Sequence, residues 1–221
     1  MATDADRRNG RATPERIVDA GIRLFAENGF QGTTVGEIER GAGLTPRAGA
    51  LYKHFPSKEA VLEAAFERHV AEIKAVHSAI EMMPLGDLRA ELTLLARWGL
   101  HMLREQRDLR RIVIAEGDRF PKLKRRYREG IVDRAYEEVI AFVRQKMDTG
   151  EFPQGDAEAI SVFMTGSLLG YSIEHDVFGR DPAGVDEDRL IAAIVDSCLA
   201  IAARGEGARD ARGLREEPPV S

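Results

Sequence analysis

Residues 45–58 read TPRAGALYKHFPSK, and their types and spacing suit one kind of chemistry, the reading of a DNA groove. Wound as a helix over 46–55, Ala48, Leu51 and Phe55 fall on one side and face inward. The other side holds Pro46, Gly49, Ala50 and Lys53, flanked by Arg47, Tyr52 and His54. Gly49 and Ala50 carry almost no side chain, so the backbone can come close to a groove floor. Lys53 can reach a phosphate or a guanine edge, and Arg47 can grip a guanine edge with two hydrogen bonds. Tyr52 and His54 can reach phosphates on either wall. Ser57 and Lys58 place a helix N-terminus beside a cation, a combination that binds phosphate. Arg7, Arg8 and Arg11 form a basic arm that can follow the backbone or the minor groove.

Other chemistries find no support in the residue pattern. A di-iron bundle needs Glu-x-x-His, and none of the five histidines (54, 69, 77, 101, 175) has Glu three residues before it. His69 and His77 are eight apart, not the four that joint ligation from one helix requires. No His-Glu-x-x-His, Gly-x-Ser-x-Gly or phosphate-loop motif occurs. The single cysteine, Cys198, excludes a disulfide framework and a Cys-rich zinc site. No enzyme activity, cofactor or metal is therefore expected. The competing reading is an all-helical ligand-binding or interaction protein without DNA binding. It leaves the basic segment 7–58 and its tight motif unexplained.

Charge divides in the same way. The 221-residue chain has a net charge of −5, which taken whole argues against a nucleic-acid partner. Residues 7–58, however, carry nine Lys/Arg against five Asp/Glu, a net +4. Residues 59–221 carry 23 against 30, a net −7. A basic front on an acidic body is expected, with the body kept away from the duplex. The start of the chain lacks the apolar stretch of a signal peptide, and its longest charge-free run, 159–173, is too short and too rich in hydroxyls to span a bilayer. A cytoplasmic protein without a membrane partner is the expectation.

The elements that must position these residues all have helical period, which predicts an all-α fold of about nine helices. The first starts at Thr13-Pro14, with Thr13 as cap, and stops at Asn28-Gly29, with Phe30 folding back. A short second helix, 34–42, has Val35, Ile38 and Ala42 inward. Gly43 ends it, and Thr45-Pro46 starts the third, 46–55. Further helices are expected over 58–82, 87–106, 108–118, 121–149, 156–176 and 186–204. Residues 205–221 read as a loose tail. Helices 34–42 and 46–55, joined by a Gly-containing turn, have the layout of a helix-turn-helix.

The residues just described carry a family resemblance. The segments RIVDAGIRLFAENGFQGTTVGEIERGAGL (16–44) and GALYKHFPSKEAVL (49–62) resemble the N-terminal domain of the TetR family of bacterial transcriptional regulators. The Leu-Tyr-x-x-Phe-x-Ser-Lys-Glu run at 51–59 is the most specific part. The resemblance implies that Thr33 and Thr34 touch phosphate at the start of the second helix. It makes Tyr52 a backbone contact and Lys58 the phosphate-binding lysine. One departure stands out. Two extra residues separate Gly43 from Leu51-Tyr52, so the groove helix is expected to start early, at Thr45-Pro46. Helix two also carries Gly36 where a polar residue is common in the family.

A lone recognition helix gives little specificity, and a two-fold dimer reading two half-sites of a palindromic operator is the usual solution. The apolar runs 159–173 and 190–203 are the candidate dimer surface, with Gly166 and Gly170 allowing close backbone approach and Ile191, Ile194, Cys198 and Ile201 alongside. The resemblance points to the same last two helices. It also implies a small-molecule pocket in the middle of the body. Its candidate walls are Phe66, Ile73, Trp98, His101, Met102, Phe120, Tyr127, Phe163 and Met164, each of which can equally be plain core. The basic run Lys122–Arg128 reads as a solvated helix face. The expected organisation is a flexible basic arm (1–12), a three-helix DNA-binding domain (13–70, helix-turn-helix at about 34–55), a ligand-binding and dimerisation domain (71–205) and a disordered tail (206–221). The function expected is that of a ligand-responsive DNA-binding regulator, a repressor released from its operator by a small molecule.

Overall fold

The computed structural model describes residues 12–80 and 85–213, and among them every regular element is helical. In chain order these are α1 (Thr13–Gly32), α2 (Val35–Gly41), a 3-10 turn (Leu51–Lys53), α3 (Lys58–Ile80), α4 (Leu88–Glu105), α5 (Arg107–Glu116) and α6 (Pro121–Tyr127). A π-turn at Arg128–Val132 joins α6 to α7 (Asp133–Asp148), followed by α8 (Ala157–Phe178) and α9 (Glu187–Gly213). The expected arm, 1–12, lies outside the described residues except for Ala12.

Local chemistry sets most of the starts. Thr34 caps α2 through a capping box: its hydroxyl accepts the Glu37 N–H, and Glu37 accepts the Thr34 N–H at 2.7 Å. Ser57 accepts the Ala60 N–H and so caps α3. Asp156 and Asp186 cap α8 and α9 in the same way. Three expected boundaries are corrected. Thr13 is not the cap of α1; Ala12 occupies that place, and Thr13 is already helical. The helix also runs past Asn28-Gly29 to Gly32, bent at Gly29, whose φ of +74° only glycine adopts freely. The last helix continues to Gly213.

The chain packs as two compact units, divided after Ser78, Arg104 and Val132. The first holds α1, α2, most of α3, α5, α6 and the π-turn. Its core is built around Ile17, Phe25, Phe30, Ile38, Leu51, Val61, Leu109 and Ile112. Phe30 folds back as expected and packs against Phe25 and, edge-on, Phe120. Gly21 lets α1 and α3 approach closely; a Cβ there would stand 2.6 Å from Val61. The second unit holds α4 and α7–α9 around Leu92, Phe142, Val143, Phe152, Leu168, Val195 and Cys198. Within it, Glu91 of α4 and Lys146 of α7 form a buried ion pair at 2.5 Å, and Lys146 also donates to Glu151. No described helix is long and apolar enough to cross a membrane.

Candidate nucleic-acid interface

The segment after α2 was expected to be a helix over 46–55, and it is not. Residues 46–50 form turns, and only Leu51–Lys53 make a single 3-10 turn. The cause is the longer spacing. Leu51 must stay in the core, where it is completely buried, so the two extra residues are taken up before it. Arg47 (φ +64°) and Gly49 (φ +68°) both adopt the left-handed conformation, which interrupts any continuous helix. For arginine that conformation costs roughly 1–2 kcal/mol. Ala48, expected to face inward, is exposed as a result.

A buried carboxylate holds this excursion. Glu39 of α2 is 0 % exposed. It accepts the Arg47 N–H at 2.7 Å and the Leu51 N–H at 3.1 Å, one on each oxygen. In a helix the Leu51 N–H would donate to the carbonyl of Arg47 instead. Sequence reasoning missed Glu39, although a signal was present. Val35, Ile38, Glu39 and Ala42 occupy i, i+3, i+4 and i+7, so Glu39 lies on the inward face of α2.

Around that scaffold the surface is exposed and basic. Tyr52 is 59 % exposed, and Thr45, Arg47, Lys53 and His54 are exposed as well. Gly49 and Ala50 are half-buried, with nothing near the place a Gly49 side chain would occupy. Thr34 is exposed at the start of α2, and Arg40, which sequence reasoning did not select, is exposed in its last turn. Glu37 beside them lies below the ordinary carboxylate range, held there first by the Thr34 backbone N–H and then by its hydroxyl.

Two residues that the family resemblance assigned to phosphate are turned inward. Thr33 is buried, and its hydroxyl donates to the carbonyls of Leu24 and Gly29 at 3.0 and 2.9 Å. The Lys58 ammonium donates to the carbonyls of Phe30 and Thr33 at 2.8 and 2.7 Å and lies over the Phe30 ring. Both side chains are thus spent on carbonyls in and just after the last part of α1. Ser57 serves as a helix cap.

The remaining candidates separate by unit. Phe66 and Tyr127 are buried in the first core, with Phe120 packed against it. Met164 is buried in the second, so its volume is taken up by core packing. Trp98 and His101 pair at 5.3 Å with His101 exposed, Met102 is half-buried, and Phe163 is exposed. The side chain of Ile73 lies outside the described residues. Of the expected dimer surface, Ile191, Ile194 and Cys198 are buried within their own unit and offer no face to a partner. They point between α9 and its neighbours because the unit needs them as core. Burial pushes the Cys198 thiol up to about 11. Ile201 is half-buried, whereas Gly166 and Gly170 sit with open space where a side chain would be.

Comparison with known proteins gives this arrangement a context. Residues 17–65 match the family model of bacterial regulatory proteins of the tetR family. Residues 90–204 match that of the C-terminal domain of AefR-like transcriptional repressors. The uncharacterized HTH-type transcriptional regulator YerO of Bacillus subtilis is 48% identical over 56 residues, which are 25% of this chain and 19% of YerO. The HTH-type transcriptional regulator UidR of Escherichia coli is 28% identical over 178 residues, 77% of this chain and 84% of UidR. A protein of Saccharomonospora viridis, solved in complex with choline, shares the fold with a TM-score of 0.68. It is 23% identical, and the match covers 83% of this chain and 93% of that one.

Proposed function

The chain belongs to the TetR family of bacterial regulatory proteins, and from that premise we propose that it is a ligand-responsive repressor that binds a palindromic operator as a homodimer. The observation that carries the reading is the exposed set Thr34, Arg40, Arg47, Tyr52, Lys53 and His54, mounted on a capped α2 and on the buried anchor Leu51. Arg47 and Lys53 are positioned for base edges. Tyr52, His54 and Thr34 hold phosphates and fix the register. It works by binding alone, without catalysis, in the cytoplasm.

The homodimer forms on the outer face of α8. Gly166 and Gly170 have no neighbour at their Cβ positions, and Val162 and Phe163 are 54 % and 47 % exposed. A second copy laid there buries apolar surface and brings backbones close. Dimerisation sets two reading segments one helical turn of DNA apart, about 34–36 Å. A small molecule in the second unit releases DNA only if it binds the spread form of the dimer more tightly than the operator-competent form. By reciprocity, operator DNA weakens that molecule's binding by the same factor. The choline carried by the Saccharomonospora viridis protein makes small organic molecules of that kind the first class to try.

The test is selection of bound fragments from bacterial genomic DNA by the full-length chain, followed by release with choline and other small effectors. Enrichment of a two-fold symmetric sequence is expected. Retention of fragments without sequence preference would reject the regulator reading.

A further inference from the structure

The segment that must enter the groove has lost the support a recognition helix normally gives itself. In a helix each N–H is held by a carbonyl four residues back, so the register of every side chain is fixed by the backbone. Residues 46–50 have no such ladder. They also contain two left-handed residues, one of them Arg47, whose guanidinium the proposed function assigns to a base edge. A surface excursion of that kind explores many conformations unless something outside it fixes both ends.

Glu39 does so. Its two oxygens take the N–H of Arg47 and the N–H of Leu51, the residues that open and close the excursion. The carboxylate is fully buried; its bond from Leu51 is buried with it, and its bond from Arg47 is partly buried. Charge-assisted bonds of this type are about twice as strong as neutral ones. Glu39 is itself fixed, since it sits between Ile38 and the end of α2, and its own carbonyl accepts the Leu44 N–H at 2.8 Å. The near side of the turn and its far anchor are thus tied to one side chain.

We propose that Glu39 is the positioning residue for DNA reading: by clamping the Arg47 and Leu51 amides it sets where the Arg47 guanidinium stands and so determines base preference. The inference rests on the DNA-binding reading given above. Glu39 touches no DNA itself.

The experiment uses the full-length chain and a pool of DNA duplexes with a randomised core. Wild type, Glu39→Gln, Arg47→Ala and the double variant are each taken through selection and titration. Glutamine keeps the shape but turns one acceptor into a donor facing an N–H. Binding to the wild type's preferred sequence is expected to fall about tenfold in Glu39→Gln, with the salt slope preserved because no phosphate contact is removed. Adding Arg47→Ala to Glu39→Gln should cost nothing more, and both single variants should lose preference at the same base positions. A purely structural role would leave the base profile unmoved. Wild-type preference in Glu39→Gln, or losses that multiply in the double variant, would overturn the proposal. If Glu39→Gln does not fold, hydrogen exchange of the wild type decides. Slow exchange of both the Arg47 and Leu51 amides in the absence of DNA supports the clamp, and fast exchange of either rejects it. A wild type that enriches no sequence would sink the DNA-binding reading, whereas an unmoved profile in Glu39→Gln sinks the clamp alone.

Discussion

Replacing Lys146 with methionine should be among the most damaging single changes in the second unit. The side chain is 3 % exposed and its ammonium lies 2.5 Å from Glu91, itself 0 % exposed, and 3.0 Å from Glu151. Methionine keeps the length of the stem and removes the charge. Glu91 then stays buried with only backbone donors, Leu85 at 2.6 Å among them. Removing one member of a buried pair costs about 3–5 kcal/mol, because the other is left as an uncompensated charge. Against a total stability of about 5–15 kcal/mol this is a large fraction. For a chain of this size it lowers Tm by roughly 6–20 °C. The assay is thermal and urea unfolding followed by circular dichroism at one fixed protein concentration. Neutralising the stranded partner should help. Lys146→Met with Glu91→Gln is expected to recover about half of the loss, since Gln still accepts from the Leu85 amide. A Lys146→Met variant within about 1 kcal/mol of wild type, outside the usual range for such a pair, would refute the reasoning. So would a double variant as unstable as the sum of the two singles.

Three further outcomes follow from the same structure. Gly21→Ala should destabilise the first unit despite alanine's better helix propensity, since its Cβ would meet Val61 at 2.6 Å; a raised Tm would contradict the close α1–α3 packing. Acid should weaken the second unit through Glu91. Burial alone raises that carboxyl, but the Lys146 ammonium and the Leu85 and Gly86 amides outweigh it and hold it below the ordinary range. Its contribution is therefore complete above the ordinary carboxylate value and is lost as pH falls through the lowered folded one, so stability measured against pH should be flatter in Glu91→Gln. Gly166→Leu should leave the monomer folded, because nothing lies near its Cβ, yet reduce the sedimentation mass to that of one chain; an unchanged mass would remove α8 as the dimer face.

What the sequence made legible was local. Thr34 with Glu37, Ser57, Asp156 and Pro121 announce helix starts by chemistry acting over three or four residues, and the structure has them there. Apolar periodicity located Leu51 and Ile38 in the core and left Tyr52 and Lys53 outside. The groove segment itself was harder. Its longer spacing from Gly43 was visible, but whether two residues extend a helix or break it depends on Glu39, eight residues before Arg47. That interaction is tertiary, and periodicity marks only the position, not what the carboxylate binds. Thr33 and Lys58 misled for a related reason. Their place in the motif suggests phosphate, while carbonyls in and just after the last part of α1 take their hydroxyl and ammonium inward. In the body, α9 is apolar on several faces, so sequence could not separate Ile194 and Cys198, which close the unit's own core, from residues open to a partner.

The charge asymmetry also gains a sharper meaning. The +4 of residues 7–58 is modest, and the Lys58 charge faces carbonyls rather than solvent. Bulk attraction to phosphate is correspondingly weak, so preference must come from a few well-placed groups and from the geometry of two copies.

Footprinting of the full-length chain on the duplex it selects from a randomised pool tests the central claim most directly. Two protected half-sites are predicted, related by a two-fold axis and centred about 34–36 Å apart, with Lys53→Ala and Arg47→Ala each losing protection at matching positions in both. A single asymmetric footprint, or protection that survives both substitutions, would contradict it.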